Sequence, residues 1–130
     1  MEERYINRAE ELISFLNNCP THFHFVAKSK EMLDQAGFIE LDEKKRFSLE
    51  RGKSYYITRN SSALIAFRIP QSFDRLHIIS AHTDSPCFRI KGKSEVKNGE
   101  LPNRLNVEAY GGLLLAPWFD RPLAISGRVF

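Results

Sequence analysis

No stretch of this chain stays apolar for the roughly 18 residues that a membrane-spanning helix needs, so no transmembrane helix is expected. No secretory leader is expected either: the opening MEERYINRAEELI is charged and amphipathic, where a leader has a basic cap and an apolar core. Cysteine is scarce, at two residues, Cys19 and Cys87. That excludes the dense disulfide framework of a small secreted domain, and points to a soluble cytoplasmic protein with reduced thiols. Low-complexity tracts are absent, and 42% hydrophobic with 27% charged residues is the composition of a folded domain. Long blocks of one charge sign are lacking too. The net charge is +3, but the bases alternate with acids along the N-terminal helices and residues 40–51, which describes a solvated face rather than a phosphate-binding stripe. Neither a nucleic acid nor a membrane is expected as partner.

What is present can be taken in chain order. At 130 residues the chain has the size of one ordinary domain, long enough to bury roughly two thirds of its unfolded surface. Apolar residues at Tyr5, Ala9, Leu12, Ile13 and Leu16 fall on one face of a helix over residues 3–17. Asn17, Asn18 and Pro20 stop it, and Thr21 can cap a second helix that begins at His22-Phe23-His24. Phe23, Val26, Ala27, Leu33 and Ala36 supply the buried side of this helix, and Gly37 suits the position after its C-cap. Residues 38–49 read as a short strand and loop. Residues 55–58 and 63–69 read as two strands joined by a turn at Arg59-Asn60-Ser61-Ser62. Two helices, a hairpin and a core strand suit an α/β fold, a mixed sheet with helices packed on it.

The core strand is residues 76–81, LHIISA, apolar and β-branched in the manner of a strand covered on both faces. It breaks into His82-Thr83-Asp84-Ser85-Pro86. In an extended chain His82 and Asp84 project to the same side, which sets an imidazole beside a carboxylate. Beyond the carboxyl end of a sheet strand, where ligands bind in open α/β folds, such a pair can hold zinc, the carboxylate fixing the imidazole tautomer. The bland reading is a strand-end hydrogen bond at His82 and a turn cap at Asp84.

Other groupings carry weaker signals. Cys19, His22 and His24 spell C-x2-H-x-H, but residues two apart at a helix start point about 200° apart and do not converge on one ion. Asp120-Arg121 could clamp an acidic side chain bidentately; the plainer account is a loop anchor after Trp118. Glu95, Glu100, Glu108 and Asp120 are available acids, yet no second HxD, HxxE or HExxH grouping accompanies them. After Lys91 the character changes: Gly92-Lys93-Ser94 and Lys97-Asn98-Gly99-Glu100 carry turn chemistry around short strand-like runs, with a domain boundary expected near residue 92. Residues 105–110 alternate in type, and Gly111-Gly112 ends them. Residues 123–130 read as a strand that runs off the end of the sequence, as though the chain were cut.

AHTDSP after an apolar strand, trailed by Cys87-Phe88-Arg89-Ile90-Lys91, closely resembles the signature of the aspartyl aminopeptidase family of cocatalytic zinc metallopeptidases. Glu108-Ala109-Tyr110-Gly111-Gly112-Leu113-Leu114, then Trp118-Phe119-Asp120-Arg121-Pro122-Leu123 and Gly127-Arg128-Val129, resemble that family's next block in the same order. Cys19-Pro20-Thr21-His22-Phe23-His24 and Ala36-Gly37-Phe38 fit it too. The resemblance implies that residues 1–92 are the N-terminal part of a catalytic α/β domain, and that residues 93–130 begin an inserted β-rich assembly domain. It implies removal of N-terminal, possibly acidic, residues from peptides by metal-activated water, two zinc ions, and a homo-oligomer when complete. His82 would be a metal ligand and Asp84 the catalytic carboxylate that orients it. The bridging carboxylate and general base of that family lie beyond residue 130, so the chain alone is expected to be inactive. Two alternatives stand beside this reading. One is a non-catalytic interaction piece or degenerate paralogue that associates through its β-rich C-terminal segment. The other is a small metal module built from Cys19, His22, His82 and Cys87.

Overall fold

The computed structural model describes residues 2–97, 99 and 103–129. It comprises two compact units, Met1–Thr83 with Ser126–Phe130, and Asp84–Ile125.

In the first unit the two expected helices form. Helix α1 spans Glu2–Asn17. Its apolar stripe finds little cover: Phe15 meets Phe25 edge-on at 5.4 Å, while Tyr5, Leu12, Ile13 and Leu16 stay exposed. Helix α2 spans His22–Gln35, with Thr21 as N-cap in extended backbone, accepting from the His24 N–H, and Gly37 in the left-handed region at φ +77° just past the end. This satisfies orphan donors at one end and turns the chain sharply at the other. Val26 is buried as expected. Ala27 and Ala36, expected on the buried side, are exposed.

That sheet runs β1-β2-β3, with β1 Ile39–Glu40, β2 Ser54–Arg59 and β3 Ala63–Arg68. β1 lies parallel to β2, and β2 antiparallel to β3, so the sheet is mixed and the fold α/β. Asn60 and Ser61 both adopt positive φ, 51° and 52°, and Ser62 donates its N–H to Arg59, the mirror-image turn whose twist matches a hairpin. Tyr55 and Phe67 are cross-strand partners with rings 5.8 Å apart. The Tyr56 hydroxyl donates to Asp34 of α2 at 2.7 Å, tying helix to sheet. Arg128 returns to this unit, donating to the backbone and side-chain oxygens of Asn60 and lying 4.5 Å over the Phe23 ring.

The second unit is a two-stranded antiparallel sheet of β4, Cys87–Val96, and β5, Arg104–Tyr110. β4 passes through residue 92 without a break. The turn chemistry at Gly92-Lys93-Ser94 appears instead as a register shift between Ile90 and Glu95, where the unpaired residues bulge out of the ladder. Gly99 lies in a turn at φ +58°, whereas Asn98 and Glu100 of the expected turn lie outside the described residues. A single 3-10 turn, Ala116–Trp118, brings Trp118 edge-on to Phe88 at 5.4 Å.

Two expectations fail together. Residues 76–81 are not a strand: no described strand pairs with them, and Ile79 is 99% exposed. Residues 123–129 are likewise irregular, and Phe130 lies outside the described residues. Among the described residues, Val26, Tyr55 and Tyr56 are the buried hydrophobic core. A strand needs a hydrogen-bonded neighbour and cover for its faces, and the described residues supply neither to residues 76–81.

Candidate functional site

Each residue of the His82-Thr83-Asp84 motif is held differently. His82 follows the uncovered apolar run and is exposed. Thr83, half-buried, donates its hydroxyl to the Ser62 carbonyl at 2.9 Å, which pins the chain to the β2–β3 turn within the first unit. Asp84, also half-buried, accepts a hydrogen bond at Oδ2 from the Tyr110 hydroxyl within the second unit. Tyr110 closes β5 opposite Cys87. Its ring carries the Arg89 guanidinium 3.4 Å above the centroid. The bond to Asp84 and that carboxylate's charge push the phenol pKa up, against the pull of Arg89. Gly111 follows at φ +73°, and a Cβ there would lie 3.6 Å from Pro86.

The other candidates have structural partners. The His24 ring nitrogen Nδ1 meets Thr21 Oγ1 at 2.8 Å, and the His22 ring packs on Phe23 at 4.0 Å. Burial raises the Cys19 pKa, against the nearby Lys28, which disfavours the thiolate that a metal needs. Arg121 donates to the Pro117 carbonyl at 3.4 Å, and Asp120 sits at φ +54°, which is loop anchoring after the 3-10 turn. Glu108 pairs in register with Arg89 on the neighbouring strand. Glu95 lies where the β4 register shifts, and Glu100 lies outside the described residues. Among the described residues no three of His, Cys, Asp and Glu come together to hold a metal ion. The module of Cys19, His22, His82 and Cys87 is therefore not formed. Zinc ordinarily takes three or four protein ligands, so the donors present here do not by themselves fit a zinc ion. No helix among the described residues is long and apolar enough to cross a membrane.

Sequence reading missed Arg89 and Tyr110 as members of this neighbourhood. Both stand inside the motif blocks, but only the β4–β5 register brings them together, and register is invisible until the pairing is known.

Comparison with known proteins agrees with the motif. The model of the family described as aminopeptidase I zinc metalloprotease (M18) matches residues 15–130. A probable M18 family aminopeptidase 2 of Clostridium novyi is 46% identical over 127 residues, covering 95% of this chain and 29% of its own. The solved S. cerevisiae mApe1 dodecamer superposes with a TM-score of 0.80 at 31% identity, over 91% of this chain and 28% of that one. Aminopeptidase I from Borrelia burgdorferi shares the fold, with a TM-score of 0.81 at 24% identity over 93% of this chain and 30% of that one. The chain thus spans under a third of the length of these relatives. By the extent of the family match, it belongs to the M18 family of zinc metallo-aminopeptidases.

Proposed function

We propose that the chain is the N-terminal portion of a metallo-aminopeptidase that removes N-terminal residues, acidic ones among them, from peptides. His82 serves as one ligand of a two-zinc centre and Asp84 as its orienting carboxylate. Residues 1–92 belong to the catalytic domain and residues 93–130 open an inserted β-rich domain used in homo-oligomer assembly. The observation that carries this reading is the family match across residues 15–130, with AHTDSP inside it. The dodecameric relative supports the assembly, and the free thiols Cys19 and Cys87 support a reducing, cytoplasmic setting.

His82 would hold one ion of such a centre, which would supply an activated water and a polarised scissile carbonyl. One imidazole and one carboxylate fall short of that centre, so the 130-residue chain alone releases no amino acid. The uncovered surface favours a second reading, a non-catalytic piece that associates through its apolar and β-rich segments. The test is a graft: this chain replaces the matching segment of the Clostridium novyi relative, and metal-dependent release of N-terminal residues is measured. The expected result is activity in the graft and its loss, with lowered zinc content, in His82→Ala. Normal turnover in the His82→Ala graft would reject the ligand assignment. A folded but inactive graft would favour the association reading.

A further inference from the structure

The chain leaves the first unit after Thr83 and rejoins it at Ser126, and both segments are fastened, inside that unit, to one turn. Thr83 donates its hydroxyl to the Ser62 carbonyl at 2.9 Å, and both residues are half-buried. Arg128 forks over Asn60, donating from Nη1 to the backbone oxygen and from Nη2 to Oδ1, each at 3.1 Å. Two charged donors on two oxygens of one residue fix orientation as well as distance. The same guanidinium lies 4.5 Å over the ring of Phe23, in the first turn of α2, where the ring attracts it. The turn is one that gains from being held. Asn60 and Ser61 are non-glycine residues at φ 51° and 52°, a conformation that Asn tolerates and Ser seldom adopts.

His82 comes just before Thr83, so its Cα lies about 3.8 Å from that of an anchored residue. On its other side, residues 76–81 have no strand beside them among those described, and Ile78 and Ile79 are exposed. Support for the backbone at His82 therefore comes from the Thr83 side. We propose that Thr83 and Arg128 are positioning residues for His82, acting through the Asn60-Ser61-Ser62 turn. Thr83 ties the main chain next to the imidazole to the Ser62 carbonyl, and Arg128 holds the turn that carries this carbonyl. The proposal rests on the reading of His82 given above, and adds the β2–β3 turn as the element that sets its backbone. It requires the hydroxyl of Thr83 rather than its bulk, since a side chain of equal size without the donor leaves the tie unmade.

The test is backbone amide relaxation by nuclear magnetic resonance on the 130-residue chain, with Thr83→Val, Thr83→Ser and Arg128→Gln. One hydrogen bond is a small part of the stability of a unit, so its loss should show as local motion. In the unaltered chain the amides of residues 82 and 83 should have order parameters near the rigid value of about 0.85, and those of Ile78 and Ile79 values below about 0.6. Thr83→Val should drop residues 82 and 83 to the level of Ile78 while β2 and β3 stay rigid, and Thr83→Ser should restore them. An unmoved His82 amide in Thr83→Val, or a loss that Thr83→Ser leaves unrepaired, would overturn the proposal. Arg128→Gln should loosen residues 60–62 and 82–83 together; rigid residues 82–83 beside a loosened turn would overturn the part given to Arg128. If Arg128→Gln unfolds the first unit, the two Thr83 variants decide. In the graft, Thr83→Val should lower kcat by up to about a hundredfold at unchanged KM and melting temperature, with recovery in Thr83→Ser. An unchanged kcat would overturn the positioning role. A His82→Ala graft that remains active would instead sink the peptidase reading, while the relaxation result for the turn would stand.

Discussion

Tyr55 and Tyr56 in β2, and Ile78 and Ile79 in residues 76–81, come from runs of similar strand-forming character, yet they end 2%, 1%, 78% and 99% exposed. β2 has β1 on one side, β3 on the other and α2 laid across it by the Tyr56–Asp34 bond. Residues 76–81 have no strand beside them among those described. Intrinsic preference for the pleat is worth at most about 1 kcal/mol across residue types, whereas burying one Ile or Tyr side chain is worth roughly 1.5–3 kcal/mol. The neighbour therefore decides, and the second run lacks one.

The largest expected effect comes from removing the cover that β2 enjoys. Tyr55→Ala should destabilise the first unit by about 3–5 kcal/mol, the range for emptying a large buried aromatic site. With three fully buried hydrophobic side chains among the described residues, that is enough to abolish its cooperative melting transition, as read by circular dichroism. Hydrogen exchange draws the same contrast without mutation: amides of β2 should be protected and those of residues 76–81 exchange near the unstructured rate. Comparable protection in the two runs would show that residues 76–81 pair in solution, and would break the comparison.

The features legible in the sequence were those settled by neighbours a few residues away. Thr21 caps α2, Gly37 ends it, and Asn60-Ser61 turns the hairpin, each by local chemistry. The His82-Thr83-Asp84 motif was legible as a pattern because its members are two residues apart. Burial of Leu76, Ile78 and Ile79 was not, since a covered strand and an uncovered one have the same letters. The same limit hid Tyr110, 26 residues from Asp84; its role depends on which β5 residue faces Cys87. The bulge at residues 91–94 was misread as a turn for that reason too, since glycine and serine serve either.

A smaller effect isolates the helix-to-sheet tie. Tyr56 is buried and donates to Asp34, and both push its pKa above the ordinary 10.0, burial most. The folded state thus holds this proton more tightly than the unfolded chain. The resulting stability is fully present below about pH 10 and declines as pH rises through the ordinary phenol range toward the folded value. Tyr56→Phe should cost about 1–2 kcal/mol at neutral pH through loss of a bond to a carboxylate, and should flatten the fall in stability above pH 10. Urea titrations at pH 7 and pH 10.5 measure both. Parallel losses in wild type and variant would assign the alkaline sensitivity to another group.

The smallest effect is expected where the sequence looked most core-like. Ile79→Ser removes an apolar side chain that is 99% exposed, so it should change the stability of the 130-residue chain by no more than about 0.5 kcal/mol, the range for substitutions away from packed features. In the grafted aminopeptidase the same change should cost far more, because there the run gains the neighbours that this chain lacks. The ratio of the two effects, read from melting curves, measures how much of the strand is made by its surroundings. Equal small effects in both settings would mean that residues 76–81 stay uncovered even in the longer protein, and the motif at their end would then lack the sheet that is proposed to present it.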